Sequence, residues 1–491
     1  MVENPRDPVL IGCGQLLQRA DTPGEGAEPV ELMARAAARA EEDSGVSGLL
    51  RQADSIRVAQ GVWDYSNPAD LLRSRFDATG ARTGLAPVSG NMVQRMINLA
   101  ALDIAAGRLD LVLVAGGEAE HSKRRCQAAG IDPGWTLQKD SVPDDGFGAG
   151  SPFLNRFEVE LGLIQPAGVF SLFENAMRFE RGESIEAHRE RISELWVRFN
   201  AVAHENPYAW TRELLSAEEI GTPSPSNKLV SHPYTKRLCA NMVVDQAAAV
   251  ILCSAEAAMR LGVDRERWVH LHAATDVQKT PFVSERWDFR SAPALAMAAR
   301  RVLELANTQS DEIAHVDLYS CFPAAVQLGA AELGRPLDPA PTVTGGLGFA
   351  GGPFNSYVLH STASMMDRLR GDPGSLGLVS SIGGWLNKHA FAIYSTHPPA
   401  EGFRYADLDS EVGALPVRRV EQDTLGAATV ETYVLQYVAG APASAIVACL
   451  RENGRRVWAT IDEPAILEAM TRKELCGSRV SIREGNVLDP G

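Results

Sequence analysis

Two glycine-containing turns in this chain lead into helices, at Ser89-Gly90-Asn91 and at Gly351-Gly352-Pro353. The first turn of a helix offers unpaired N–H groups and the positive end of the helix dipole. That combination suits anions, thiolates and developing oxyanions. Each helix is followed by an apolar run that closes on a glycine pair, Gly116-Gly117 and Gly383-Gly384, and Ser381 stands just before the second pair. Tyr319 and Cys321 bring a phenol and a thiol to a separate stretch, and His389 is a histidine close to the second glycine pair. Asn91 and Gln94 sit in the first turn of the first helix, where their amides can hydrogen-bond a carbonyl. Lys123, Arg124, Lys228 and Lys236 are cations that could meet phosphates. His270 and His272 alternate as on a strand, without a carboxylate or cysteine at metal-ligand spacing. His315 and His360 read as structural.

The elements that must position these groups are legible in part. Residues 8–14 read as a buried strand. Pro29 starts an Ala-rich helix that Gly45 ends. A second strand is expected over 54–60. From Asn91 to Ala106 the apolar residues Met92, Val93, Met96, Ile97, Ala100, Ala101 and Ile104 recur at helical spacing. Leu111–Ala115 is the continuous apolar kind of strand found in parallel sheets. The same order returns late in the chain, with a helix to about Arg370 and a strand over 376–381. The pattern reads as an internal duplication of β/α units. Between the halves, residues 118–240 are polar and helical in patches, for example over 184–200, and too long for a loop. After residue 405, β-type runs cover 429–438, 444–450 and 456–461.

At 491 residues the chain needs more than one core. Its net charge of −15 speaks against a nucleic acid or an anionic membrane as partner. The seven cysteines are scattered and never form a CxxC pair, so neither a disulfide framework nor a zinc site is expected. The first residues lack the charged and apolar regions of a signal peptide, and no stretch reaches the length of a membrane span. The cytoplasm is the expected compartment.

At this point the chain resembles the thiolase superfamily. The stretch SGNMVQRMINLAALDIAAG followed by RLDLVLVAGGEA is similar to the first thiolase helix and strand, with Gly90 where the nucleophilic cysteine stands. YSCF (Tyr319–Phe322) matches the second motif. GGLGFAGGPFN (Gly345–Asn355) matches the third, with Gly352 at the histidine. SIGG (Ser381–Gly384) matches the fourth, with Ser381 at the second cysteine. NPYAW (206–210) and DQAAA (245–249) are similar to sterol-carrier-protein-type thiolases. The variants and the β-rich tail look most like the thiolase-like proteins of type 1, often labelled acetyl-CoA acetyltransferases.

The resemblance covers residues 8–397. It implies an α/β thiolase fold with duplicated α-β-α-β-α halves: residues 1–117 with 241–262, and residues 263–400. It implies an inserted loop subdomain over 118–240 and an OB-like β-barrel over 405–491. It also implies CoA or acyl-CoA as ligand, with no covalently held cofactor, and a monomer or homodimer. From residue 405 onward nine Lys and Arg face thirteen Asp and Glu. The basic groove that single-stranded nucleic acid needs is therefore not expected in the barrel.

A thiolase needs a thiolate to take the acyl group, a histidine to activate it and a second cysteine to move a proton. With Gly90, Gly352 and Ser381 in those places, the usual reaction is not expected. Tyr319 and His389 are the expected acid/base candidates. Asn91, Gln94 and Gly351, with Lys123, Arg124, Lys228 and Lys236, are the expected CoA contacts. Cys321 and Ser381 are the remaining possible nucleophiles. Three functions stay open: a CoA-thioester enzyme without an acyl-enzyme, such as a retro-aldol lyase; a CoA or acyl-CoA binding or carrier protein; and an acyltransferase with an unusual nucleophile.

Overall fold

The computed structural model describes residues 4–148, 152–422, 425–483 and 487–489. The first half of the chain supplies β1 (Pro8–Leu17), β2 (Ser55–Ala59), β3 (Arg82–Ala86), β4 (Leu111–Ala119), the short β5 (Leu229–Ser231) and β6 (Tyr234–Thr235), and β7 (Asp245–Ser254). The second half supplies β8 (Val269–Val277), β9 (Ile313–Asp317), β10 (Leu376–Gly383), β11 (Lys388–Ser395) and β12 (Arg404–Asp407). Except for β5 and β6, these strands form one sheet ordered β3-β2-β4-β7-β1-β8-β11-β10-β9, with β12 beside β8.

The duplication is written in strand direction. β2 runs parallel to β4, β4 antiparallel to β7, and β7 antiparallel to β1. The second half repeats this with β9 parallel to β10, β10 antiparallel to β11, and β11 antiparallel to β8. Only two residue pairs, Val9–His270 and Leu10–Val269, join β1 to β8. β3 has no counterpart.

The first-half helices are α1 (Pro29–Ser44), α2 (Pro68–Arg75), α3 (Met92–Ala105) and α4 (Glu120–Ala129). The intervening region carries α5 (Arg156–Leu161), α6 (Pro166–Arg181), α7 (Ile185–Glu205) and α8 (Ala217–Gly221), and α9 (Ala255–Leu261) follows β7. The second half adds α10 (Pro293–Ala306), α11 (Pro323–Glu332), α12 (Gly346–Phe349) and α13 (Tyr357–Gly371). α1 begins with Pro29 and ends on Gly45 in the left-handed conformation. It lies close to β1 because Gly12 and Gly14 carry no side chain. A Cβ at either would strike the carbonyl oxygen of Ala40 or Ala36. α3 touches β4 and β11, α13 touches β10 and β7, and the two helices touch each other. They are the central layer between the two halves of the sheet, with α1 and α10 outside. That is the layered α-β-α-β-α order.

The chain pairs Arg404–Asp407 with β8 before it enters the β-rich tail. There β13 (Val420–Glu421), β14 (Gly426–Val438), β15 (Ala441–Leu450), β16 (Arg456–Ile461), β17 (Arg479–Arg483) and β18 (Val487–Asp489) follow. Five of these close into a ring, β14-β15-β16-β18-β17 and back to β14. A helix over Pro464–Met470 crosses between β16 and β17. The ring is compatible with the expected OB-like barrel, and Tyr433, Leu435, Val447, Val457 and Ile482 fill it. β5 of the intervening region extends the barrel sheet by pairing Ser231 with Gln436 of β14.

Candidate functional site

Gly90 lies at the entrance to α3, and Tyr319 follows the end of β9. The fold brings them together from opposite halves. A Cβ built on Gly90 would stand 2.6 Å from the Tyr319 hydroxyl oxygen, and closer still to the carbonyl oxygen of Ile382. The phenol therefore occupies the space a nucleophile's side chain would need. Glycine is required here by close approach.

Several neighbours hold Tyr319 in place. Its backbone N–H donates to Ser380 Oγ at 2.9 Å, and its ring meets that of Tyr357 edge-on at 5.7 Å between centroids. Two residues earlier, buried Asp317 accepts from Thr342 Oγ1 (3.0 Å), the Val343 N–H (2.9 Å), Ser361 Oγ (2.8 Å) and the Tyr357 hydroxyl (3.2 Å). Burial pushes the Asp317 carboxyl up, while these donors hold it down. Asp317 thus ties the turn before Gly345 and the head of α13 to β9. The sequence reading missed it; the signal was an acidic residue at the end of an apolar strand. Tyr319 itself is 7 % exposed, and its hydroxyl has no hydrogen-bond partner among the described residues. Burial, with Cys321 alongside, raises its pKa above the usual phenol value, so the phenol is a donor at neutral pH.

Asn91, in the capping place of α3, is fully buried. Its Oδ1 accepts from Ser89 Oγ at 2.6 Å, and its Nδ2 is buried without a partner among the described residues. Both side chains press against Gly383, where a Cβ would collide with them. Gly90, Asn91, Tyr319, Ile382 and Gly383 therefore form one cluster with two donors available, the Tyr319 hydroxyl and Asn91 Nδ2. Ser89 was also missed.

The other expected residues lie differently. Gln94 is one helical turn further in, where its amide meets Asn98 Oδ1 and the Tyr394 hydroxyl, each at 2.9 Å. It serves the buried contact between α3 and β11. Ser381 Oγ donates to the Ala390 carbonyl at 3.0 Å. The Gly352 N–H is given to the Asn241 carbonyl at 2.9 Å, so it is no free oxyanion donor. Gly351 packs on the Gln246 side chain, whose Nε2 bridges the carbonyls of Tyr208 and Ala350.

Sheet parity separates His389 from Tyr319. Ser381, Ala390 and Asp276 are register partners on the face turned to α3, where Asn98 reaches Asp276. His389 pairs with Ile382 and Val277, on the face where Thr275 bonds the Ala298 carbonyl of α10. Burial and nearby Arg286 push its pKa down to about 3, which leaves a neutral, feebly basic imidazole. The structure does not bring the two expected acid/base residues together.

Cys321 is 9 % exposed, and burial raises its thiol. Cys239 is raised to about 12 by burial. Neither is a ready thiolate. Lys228 and Lys236 are exposed and adjacent, joined by a backbone hydrogen bond of 2.9 Å. The segment after Lys236 runs to Ala240 and Asn241, which bond Cys321 and Leu347 through their N–H groups. Lys123 Nζ donates to the Val62 carbonyl, and Arg124 pairs with Glu120.

Comparison with known proteins bears on the fold. Residues 407–486 match the family model of the thiolase-like protein type 1 additional C-terminal domain. The monomeric SCP2-thiolase-like protein type 1 (STLP1) from Mycobacterium smegmatis superposes with a TM-score of 0.83 at 28% identity, covering 99% of each chain. The Ltp2-ChsH2(DUF35) aldolase superposes with a TM-score of 0.61 at 15% identity over 80% of this chain and 98% of that one. In sequence, the benzoylsuccinyl-CoA thiolase subunit BbsB of Thauera aromatica is 23% identical over 229 residues, 47% of this chain and 51% of that protein. The chain thus spans about half the length of the curated relative it matches. The barrel's match and the near full-length superposition lead to one conclusion: the chain has the thiolase fold and carries the additional C-terminal domain of the thiolase-like type 1 proteins.

Proposed function

We propose that this protein binds a CoA thioester and acts on it, if at all, without a covalent acyl-enzyme. The observation that carries the reading is the Tyr319 hydroxyl in the space that a residue-90 side chain would need. A thioester carbonyl placed beside that hydroxyl meets hydrogen-bond donors in place of a nucleophile. Tyr319 and Asn91 Nδ2 polarise its oxygen, as oxyanion donors do. Lys228 and Lys236, at the start of the segment that runs on to Cys321, are assigned to the ligand's phosphates. The relatives support the ligand class: one is named for a CoA thiolase, and the type 1 structure for the same fold.

A second reading, C–C bond cleavage of a hydroxyacyl-CoA, is favoured by the same hydroxyl, which has no hydrogen-bond partner among the described residues. Cleavage needs a base for the substrate hydroxyl and donors for the enolate that leaves as the CoA product. Solvent water takes that proton, and Tyr319, held as a neutral phenol, and Asn91 Nδ2 donate to the enolate oxygen. The fold shared with an aldolase is compatible with this.

The test is calorimetric titration with CoA and with short- and long-chain acyl-CoA. Saturable binding is expected, weakened about tenfold by the double change Lys228→Ala, Lys236→Ala. A flat titration for every thioester overturns the reading. If lyase turnover is found, Tyr319→Phe abolishes it while CoA affinity holds; unchanged turnover removes Tyr319 from the chemistry.

A further inference from the structure

On the far side of the second half, a groove of about 430 Å³ lies against the start of β9, whereas Tyr319 follows its end. Three arginines from three elements line it: Arg198 of α7, Arg335 after α11 and Arg368 in the last turn of α13. Arginines in this acidic chain are generally matched with carboxylates or carbonyls, as in Arg57 with Asp103 or Arg370 with Asp43. Two of these three are not matched in that way, and the third only in part. Among the described residues, Arg198 and Arg368 have no ion pair or hydrogen bond, and Arg198 Nε is buried without a partner. Arg335 gives one nitrogen to the Ser310 carbonyl at 2.6 Å, which leaves the rest of its fork. The carboxylates nearby are Asp338, which lines the groove, Asp372, which is taken by His315 of the lining at 2.9 Å, and Glu205 and Asp367, which line the adjoining cavity together with Arg368. The lining also has an apolar part, made by Val202, Val316, Val343 and the 339–341 stretch.

We infer that this groove binds a small organic polyphosphate of the nucleoside diphosphate kind, at a site separate from the Tyr319 cluster. The volume falls in the range of small-ligand sites. Guanidinium forks match phosphate oxygens two at a time, and three forks around one cavity match a ligand with several adjacent negative charges. The Val and Pro wall gives the organic part a dry surface. One carboxylate in the lining leaves the groove net positive in a chain of net charge −15. A local field of that sign opposes the chain's overall repulsion of anions. The inference does not depend on the thioester reading.

The experiment is calorimetric titration of the full chain with ADP and with inorganic pyrophosphate, with melting temperatures as a check of folding. Arg368→Gln removes an exposed cation and leaves the fold intact, and Arg198→Gln tests the buried nitrogen. Arg300→Gln, on the exposed side of α10, is the control. ADP is expected to bind saturably and more tightly than pyrophosphate. Either groove substitution should weaken it at least tenfold, and the control should leave it unchanged. No saturable binding of either probe overturns the site, as does an ADP affinity untouched by Arg368→Gln. Equal affinity for the two probes overturns the role given to the apolar wall.

Discussion

Gly90 and Tyr319 exclude one another's alternatives. Adding a Cβ at residue 90 meets the Tyr319 hydroxyl and, on its other side, a backbone carbonyl that cannot rotate away. Gly90→Ala should therefore cost about 1–3 kcal/mol of stability, read as a lower denaturant midpoint. Gly90→Cys should be no better and should gain no acyl transfer. An equally stable Gly90→Cys that becomes acylated would show that the space is free. Asp317 accepts five hydrogen bonds in a dry site, so Asp317→Ala should cost on the order of 3 kcal/mol and loosen Tyr319 with it. None of these contacts is local. The sequence identifies the turn at Gly90 and the tyrosine at 319, but only tertiary packing shows that one occupies the other's space. His389 failed for a related reason: which face a strand residue takes is fixed by register, and register is not written in a short motif.

At the scale of elements, α3 with β4 and α13 with β10 were legible because their apolar residues keep a clean period and end on glycines. The pairing of β5 with β14 was not, since a three-residue strand has too little pattern and exists only because β14 offers it an edge. The packing of α3 on the sheet leaves Asp276 in a dry setting, and burial pushes its carboxyl up to about 7 against the pull of Arg95. The unfolded chain releases this proton near pH 4 and the folded chain holds it to about 7, so the group weakens folding increasingly as pH rises between those values. Asp276→Asn should raise the melting temperature at pH 8 and change it little at pH 4. A loss of stability at pH 8 would show that the charged form is needed. Buried histidines act at the other end of the scale. His232 and His389 are held down to about 3, and His270 and His360 to about 4, chiefly by burial. The unfolded chain takes up these protons near pH 6.5 and the folded chain does not, so stability should fall as pH drops below 6.5. Melting temperatures recorded from pH 7 to 5 should decline, and a flat profile would contradict the burial of these rings.

For the molecule as a whole, the open edge of the first half is not free for pairing. Along β3, the Asp144 N–H bonds the Thr83 carbonyl at 2.8 Å and the Leu85 N–H bonds the Asp145 carbonyl at 3.0 Å. A covered edge strand does not template a second copy. Sedimentation of the purified chain should give a monomer, as for the Mycobacterium smegmatis relative; a stable dimer would place the interface elsewhere. No helix among the described residues is long and apolar enough to cross a membrane. The layered halves, the intervening helices and the barrel are tied together through β5 and α6, so ligand binding at one cluster is read in the stability of the whole. The central claim is that the protein binds a thioester at the Tyr319 cluster without being acylated by it. The most direct test is to titrate the protein with an acyl-CoA by calorimetry and record its intact mass at saturation. The account predicts saturable heat and an unchanged mass; no heat, or a mass increased by one acyl group, would contradict it.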